Sequence, residues 1–147
     1  MRREDRDAHS LLHGAKAEVE PLIAKRELTT SVTVGDAPAV VAMSDKASHA
    51  VRDGKSTSMW AAIDSVRNKD AAACVSCGNT GALMAVSMIR LRKAEGVNRP
   101  AIACLWPSRN ATGFNVMLDA GADIRADKED LLTYALMGAS YARNGLG

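Results

Sequence analysis

Residues 71–84 read AAACVSCGNTGALM, an apolar run that passes through a glycine turn into a second apolar stretch. The first run predicts a buried strand over residues 72–76, and the second predicts a helix over residues 80–92 that is apolar nearly all round and therefore buried. The glycine permits a tight turn, and Asn79 or Thr80 is placed to cap the helix. This order of strand, turn and helix is typical of α/β proteins.

The same alternation continues on both sides of this stretch. Short apolar or β-branched runs predict further strands at Leu11–Leu12, Ser31–Val34, Ala101–Trp106 and Phe114–Leu118. Helical periodicity predicts helices at Ala15–Arg26, at Ser44–Arg52 with Ser44 as N-cap, at Thr57–Asn68 with Ser56 or Thr57 as cap, and at Lys128–Arg143 with Leu131, Leu132, Ala135, Leu136 and Ala139 inward. We therefore expect α/β layers around a largely parallel sheet, with ligand sites outside the carboxyl ends of the strands.

Composition limits the function classes. The chain has 147 residues, of which 47% are hydrophobic and 24% charged, as expected for one globular domain. We assign residues 1–9 to a charged N-terminal tail and residues 10–147 to the domain. A net charge of +2 and 3% aromatic residues argue against a nucleic-acid partner. No apolar run is long enough to span a membrane, and no signal peptide follows the charged start, so a cytoplasmic location is expected.

Three cysteines occur, at positions 74, 77 and 104. Cys74 and Cys77 are spaced as in redox or zinc motifs, but zinc would need two further ligands and no second pair exists. Cys74 also stands inside the predicted strand. We therefore interpret it as a small core residue rather than a ligand.

The turn after the predicted strand is the first candidate site. Ser76, Gly78, Asn79, Thr80 and Gly81 surround the start of a helix, where backbone N–H groups and the helix dipole favour an anion. The stretch matches neither the Walker A motif nor the complete dinucleotide-binding glycine pattern. An ordinary strand-to-helix turn, which prefers the same residue types, is the alternative.

Two further places are rich in polar side chains. Between residues 44 and 59, basic and hydroxyl side chains lie close together in sequence, and Lys or Arg there could hold an anionic substrate. The members of this group considered as ligands are Lys46, Ser48, Arg52, Lys55 and Ser58. A solvated loop is the alternative. Asp119 follows a predicted strand and precedes Gly121, where its carboxylate could orient a ligand or cap a turn.

Taken together, these segments resemble the phosphate acyltransferases of the PlsX type. The matching stretches are 44–52 (SDKASHAVR), 54–59 (GKSTSM), 74–84 (CVSCGNTGALM), 99–101 (RPA), 118–123 (LDAGAD) and 135–138 (ALMG). They occur in the order and spacing of that family, and the resemblance extends over nearly the whole chain from Leu11 onward. Ala47 stands where the family usually has Pro, and Cys77 where it usually has Ala.

The resemblance implies a three-layer α/β/α fold like that of isocitrate dehydrogenases and phosphotransacetylases, present here as an incomplete piece. It implies that phosphate replaces the acyl carrier protein of a long-chain acyl-ACP, which gives an acyl phosphate for phospholipid synthesis. Neither a metal nor another cofactor is implied. The expected assembly is a cytoplasmic homodimer, loosely attached to the inner face of the membrane. The family chain is more than twice as long, and the glycine turn with which it begins is absent here.

The chemistry of this reaction suggests roles for the candidate residues. Asn79 and Thr80, with the backbone at Gly78 and Gly81, are expected to donate to phosphate or to a developing oxyanion. The basic group between residues 44 and 59 is expected to hold the anion. Three alternatives remain open at this point: an inactive remnant, a short-chain phosphotransacetylase that uses coenzyme A thioesters, and a nucleotide-binding module.

Overall fold

The computed structural model describes residues 8–120 and 126–145, which form two compact units divided between Leu91 and Arg92. The charged residues 1–7, the glycine turn at residues 121–123 and the last two residues lie outside the described part. Within the described residues, no helix is long and apolar enough to cross a membrane.

The first unit begins with a parallel β-α-β arrangement. Strand β1 (Ser10–Gly14) pairs with β2 (Val32–Asp36) in parallel, with Leu12 opposite Val34. Helix α1 (Lys16–Lys25) joins the two strands, and the carboxylate of Asp36 accepts from the backbone N–H of Lys16 at 3.1 Å. This confirms the α/β class and the parallel pairing expected from the alternation of elements.

Three helices build the core of the first unit. They are α2 (Ala47–Asp53), α3 (Ser58–Arg67) and α4 (Thr80–Arg90), with a short 3-10 turn at Gly54–Ser56. Their facing sides bury a cluster in which Ile63 is 0% and Val86 1% exposed; the other buried members are Val41, Ala50, Met59, Trp60 and Ala82. At the edge of this cluster, Arg90 donates to Asp64 at 2.6 Å and lies 5.3 Å from the Trp60 ring centre.

The second unit is a hairpin covered by one helix. Strands β3 (Ala103–Pro107) and β4 (Phe114–Leu118) pair antiparallel, and α5 (Lys128–Gly145) packs on β4 through Gly138 and Leu118. The sheet was expected to be largely parallel, and this pair departs from that expectation. Only six residues join its strands, which is too short for a parallel crossover.

Four local expectations were wrong. Residues 72–76 form no strand, because none of the described strands pairs with them. The N-cap of α2 is Lys46 rather than Ser44, and it makes no side-chain cap bond. Helix α4 is not buried all round, since Met88 and Ile89 are 43% and 54% exposed.

The fourth error concerns the orientation of α5. Its expected inward leucines at 131, 132 and 136 are 59%, 62% and 65% exposed, and Ala135 and Ala139 are exposed with them. Asp130 and Tyr134 are buried instead. Only one side of α5 meets the hairpin. The side that carries Leu131, Leu132 and Leu136 therefore has nothing to pack against within the described part of this unit.

Candidate functional site

The predicted turn forms at the start of α4. The Ser76 hydroxyl accepts from the backbone N–H of Gly78 at 3.2 Å, which closes the turn before the helix begins at Thr80. A Cβ added at Gly78 would lie 3.3 Å from the terminal carbon of Met59. The glycine therefore lets the backbone pass close to the start of α3.

Asn79 is buried at the centre of this turn, with 7% of its surface exposed. Its Oδ1 accepts from the backbone N–H of Ala82 at 3.0 Å, which confirms the predicted N-cap. Its Nδ2 donates to the backbone carbonyls of Ala42, Met43 and Asp45 at 3.0, 3.2 and 2.9 Å. An amide nitrogen has two hydrogens, and three acceptors already share them. Asn79 therefore holds the loop 42–45 against α4, and no donor hydrogen is left for a ligand.

The backbone after Asn79 remains available. The N–H groups of Thr80 and Gly81, and the Thr80 hydroxyl, have no hydrogen-bond partner within the part of the chain that the structure describes. Gly81 is exposed and Thr80 half-buried. The positive end of the α4 dipole thus presents two free backbone donors to an accessible surface, an arrangement that suits an anion.

A cleft of about 210 Å³ lies beside the turn. Three predicted site residues line it: Ser58 from the start of α3, and Ser76 and Gly78 from the turn. The rest of the lining is Leu11, Leu12, His13, Val40, Val41, Met59, Ala62 and Val75. Among the described residues, the His13 imidazole is the one acidic or basic side chain that lines this cleft.

His13 is a residue that sequence reasoning missed. Its Nε2 lies 2.9 Å from the Ser65 hydroxyl of α3, and this hydroxyl donates to the Ala61 carbonyl at 3.1 Å. Nε2 is therefore the protonated nitrogen and donates to Ser65. Burial lowers the pKa of His13 below its ordinary value. The available signal was a histidine interrupting an apolar strand directly before Gly14.

Of the candidate ligands between residues 44 and 59, all except Ser58 lie outside the lining of the cleft. Lys46, Ser48 and Lys55 are exposed around α2, and none of them makes a side-chain hydrogen bond or ion pair within the described residues. Arg52 pairs with Asp53 at 3.0 Å, with their side chains 70% and 64% exposed. The first residue of α2 does lie near the turn, since Ala47 Cβ is 3.9 Å from the position of a Cβ added at Gly81.

The remaining candidates are Asp119 and the cysteines. Asp119 belongs to the second unit, where it has a left-handed φ of 60° and donates its backbone N–H to the Ile102 carbonyl at 2.8 Å. Cys74 is half-buried against the core, as its interpretation as a core residue predicted, and burial raises the pKa of its thiol. Cys77 is exposed. Among the described residues, no group of three His, Cys, Asp or Glu side chains is arranged to hold a metal ion.

Comparison with known proteins adds independent information. The phosphate acyltransferase of Paracoccus denitrificans is 67% identical over 138 residues, which is 93% of this chain and 37% of that protein. The phosphate acyltransferase of a Jannaschia species is 69% identical over 137 residues, and that of Rhodobacter capsulatus is 60% identical over 146. These matches cover 92% and 99% of this chain, but 38% and 37% of the relatives. The chain thus spans less than two fifths of the length of these relatives.

The family model described as "Fatty acid synthesis protein" matches residues 2–147. This match covers all but the first residue, and it agrees with the high identity to the three phosphate acyltransferases. The chain therefore belongs to the fatty acid synthesis protein family.

Proposed function

We propose that this chain is part of an enzyme that transfers the long-chain acyl group of an acyl-ACP to inorganic phosphate. A phosphate oxygen attacks the thioester carbon, the carbon–sulfur bond breaks, and the carrier protein leaves as its thiol. The acyl phosphate formed in this way would enter phospholipid synthesis. The observation that supports this most is the 60–69% identity to proteins named phosphate acyltransferase.

The proposed phosphate position is the start of α4. There the Thr80 and Gly81 N–H groups and the Thr80 hydroxyl donate to the anion, and phosphate loses water as it approaches the turn. Gly78 and Ser76 fix the path of the backbone into the helix. Asn79 acts as a positioning residue, because its side chain holds the loop 42–45 rather than the ligand.

The exposed cations have a different proposed role. Lys46, Arg52 and Lys55 lie on the surface around α2, where they raise the local concentration of anions and can dock the acidic carrier protein. Ser48 and Ser58 supply hydroxyl donors at the first turns of α2 and α3. Asp119 would orient a ligand from the second unit once the remainder of the protein is present.

The assembly and its location are also proposals. We place the full-length enzyme in the cytoplasm as a homodimer with loose attachment to the inner membrane face, and we treat residues 10–147 as part of one catalytic domain. The homodimer and the membrane attachment follow from the family resemblance alone.

A chimera tests the activity. In the Paracoccus denitrificans protein, the 138 matching residues are replaced by those of this chain, and acyl phosphate is trapped with hydroxylamine. We expect product from acyl-ACP and phosphate. Product from acetyl-CoA alone would indicate a short-chain phosphotransacetylase, and no product from either donor in a folded chimera would contradict the proposal.

Two lysine variants of the chimera test the cationic surface. If Lys46 and Lys55 hold phosphate, Lys46→Ala and Lys55→Ala raise the KM for phosphate more than that for acyl-ACP. If they dock the carrier, only the KM for acyl-ACP rises. Lys25→Ala, at the end of α1, is the matched control. Unchanged constants in both variants would leave these lysines as solvated charges.

A further inference from the structure

Asp45 is the acidic residue of the loop 42–45, and its side chain closes that loop. Its Oδ2 accepts from the backbone N–H of Ala42 at 2.8 Å. In return, the Asp45 backbone N–H donates to the Ala42 carbonyl at 3.1 Å. These two hydrogen bonds join both ends of the loop in a ring. Because a bond to a charged acceptor is the stronger kind, the carboxylate contributes more to this closure than a neutral acceptor would.

The closed loop presents its carbonyl groups to a single atom. The carbonyls of Ala42, Met43 and Asp45 all accept from Nδ2 of Asn79, at 3.0, 3.2 and 2.9 Å. An extended segment could not bring these carbonyls to one nitrogen, because the carbonyls of successive extended residues point to opposite sides. The ring that Asp45 closes therefore forms the acceptor site for the Asn79 amide.

The Asn79 amide connects this loop to the start of α4. Its Oδ1 accepts from the Ala82 N–H at 3.0 Å, while Nδ2 is held by the loop. The amide is planar, so a rotation that moves one of these two atoms also moves the other. Asn79 is also buried, and acceptors that the loop withdraws would leave a buried donor unsatisfied. An open loop therefore disturbs the first turn of α4, where Thr80 and Gly81 carry the free N–H groups.

We propose that Asp45 is a positioning residue for the phosphate position at the start of α4, and that it acts through Asn79. Its carboxylate keeps the loop 42–45 closed, the loop orients the Asn79 amide, and the amide holds the first turn of α4 in the conformation that binds the anion. This inference rests on the proposed function. Asp45 is not itself a ligand of phosphate, because a carboxylate has no proton to donate and repels an anion.

Calorimetric titration of the Paracoccus chimera with inorganic phosphate tests this role without an acyl donor. Asp45→Ala opens the loop and should weaken phosphate binding by about tenfold or more, as the loss of a charge-assisted hydrogen bond does. Asp45→Asn keeps an oxygen acceptor for the Ala42 N–H, so its dissociation constant should stay within about threefold of the parent value. Asp70→Ala is the matched control, because Asp70 is exposed and its carboxylate makes no hydrogen bond or ion pair within the described residues.

Two results of this titration would overturn the proposal. Equal phosphate affinity in Asp45→Ala and in the parent chimera would make Asp45 a solvated charge. The same change in Asp45→Ala and in Asp45→Asn would show that the negative charge matters and the closure of the loop does not.

A double variant tests the route through Asn79. Asn79→Ala already removes the amide that the loop orients, so adding Asp45→Ala should weaken phosphate binding no further. If the double variant instead lost a further factor of about ten, Asp45 would act independently of Asn79, contrary to the proposal.

Hydrogen exchange of the Ala82 amide in the chimera separates this inference from the phosphate position itself. Ala82 is held by Asn79 and shares no hydrogen bond with Asp45. Asp45→Ala should speed its exchange about tenfold or more, and Asp45→Asn should not. Unchanged exchange in Asp45→Ala would overturn the role of Asp45 even where phosphate binds. If the parent chimera bound no phosphate while Ala82 responded as expected, the phosphate position would be wrong and Asp45 would fix the loop alone.

Discussion

The two units of the chain bury their apolar residues to different degrees. In the first unit, three helices face one another and enclose Ile63 and Val86 almost completely. In the second unit, the long helix α5 leaves Leu132 and Leu136 more than 60% exposed, and Trp106 on the hairpin is 58% exposed. Both units contain apolar helices, so composition does not explain the difference.

The number of packing partners explains it. A helix buries only those side chains that face another element of the fold, and its other side chains remain exposed. Helix α4 contacts both α2 and α3, whereas α5 covers a hairpin with one side and leaves the side with Leu131, Leu132 and Leu136 largely exposed in the described part of its unit. An apolar stripe on a helix therefore predicts that a surface will be covered in the complete fold, and it does not identify which element covers it.

The largest expected effect tests this contrast directly. Ile63→Ala leaves a cavity in the closed core and should lower the free energy of unfolding by about 2–5 kcal/mol. Leu136→Ala removes a side chain of similar volume from the exposed side of α5. It should change the free energy of unfolding by less than about 0.5 kcal/mol. Urea denaturation followed by the fluorescence of Trp60, in a Trp106→Phe background, measures the first unit. Hydrogen exchange of the α5 amides measures the second.

A comparable loss from both substitutions would contradict the contrast, because it would mean that Leu136 is buried in this chain. In the Paracoccus chimera, the losses of unfolding free energy caused by Ile63→Ala and by Leu136→Ala should become more similar if the remainder of the protein covers α5. The same pair of variants in the two contexts therefore separates a property of the helix from a property of its surroundings.

Asn79→Ala should have the next largest effect. The substitution removes the N-cap of α4, worth about 1 kcal/mol. It also removes the bonds that hold the loop 42–45, worth about 1 kcal/mol more. Asn79→Asp keeps the cap acceptor and loses the donors, so it should recover only part of the loss. Denaturation followed by Trp60 fluorescence checks both values.

The same variants distinguish positioning from direct catalysis in the chimera. If Asn79 positions the loop, Asn79→Ala lowers turnover together with stability, and cooling restores part of the turnover. A loss of about 100-fold in turnover with unchanged stability would indicate a direct oxyanion donor, contrary to the geometry.

A glycine in each unit gives a smaller, paired prediction. A Cβ at Gly35 would lie 2.5 Å from Nδ1 of His13, so Gly35→Ala should displace the ring and cost about 1–2 kcal/mol. A Cβ at Gly138 would lie 3.3 Å from the end of the Leu118 side chain, which can move. Gly138→Ala should therefore stabilise α5 by up to about 1 kcal/mol through helix propensity.

Thermal unfolding followed by Trp60 fluorescence measures the Gly35 variant, and hydrogen exchange of the α5 amides measures the Gly138 variant. Adding His13→Ala to Gly35→Ala should recover part of the loss, because the steric conflict disappears. A double variant equal to the sum of its single effects would show that Gly35 and His13 do not interact.

Local sequence signals predicted the elements that depend on few neighbours. Thr57 and Asn79 were expected as caps, and both accept the predicted kind of backbone bond. The strand at residues 72–76 could not be decided in this way, because a strand exists only where another strand pairs with it. Likewise, the periodicity of α5 predicted an inward side with Leu131, Leu132 and Leu136, but a periodic pattern does not show which side of a helix meets a neighbouring element.

In the candidate site too, local sequence predicted some features, whereas others depend on contacts between distant parts of the chain. The turn at residues 76–81 was located from its glycines, but the contact of Asn79 with Ala42 depends on residues 37 positions apart, which no local pattern reveals. Lys46, Arg52 and Lys55 are close together in sequence, but they are dispersed over the surface around α2. His13 was overlooked because its partner Ser65 lies on another element.

The smallest expected effect is a pH dependence of the first unit. Burial places the folded-state pKa of His13 below the value of about 6.5 expected for an unfolded chain. The unfolded state therefore binds a proton more readily than the folded state. The contribution of neutral His13 to stability is complete above about pH 6.5 and is lost as the pH falls from there toward the folded-state pKa. A proton on Nδ1 would also face the backbone at Gly35, which lies against that nitrogen.

Thermal unfolding of the Trp106→Phe protein, followed by Trp60 fluorescence between about pH 7.5 and about pH 5.5, measures this dependence. We expect the midpoint to fall as the pH decreases, and His13→Asn to remove the part of the fall that His13 contributes. His49→Gln, on the exposed surface of α2, is the matched control for the loss of a histidine side chain. The second unit contains none of the three histidines, so exchange of its α5 amides should not show this contribution. An unchanged midpoint profile in His13→Asn would mean that His13 titrates alike in the folded and unfolded states, and that its burial in the first unit has no effect on stability in this range.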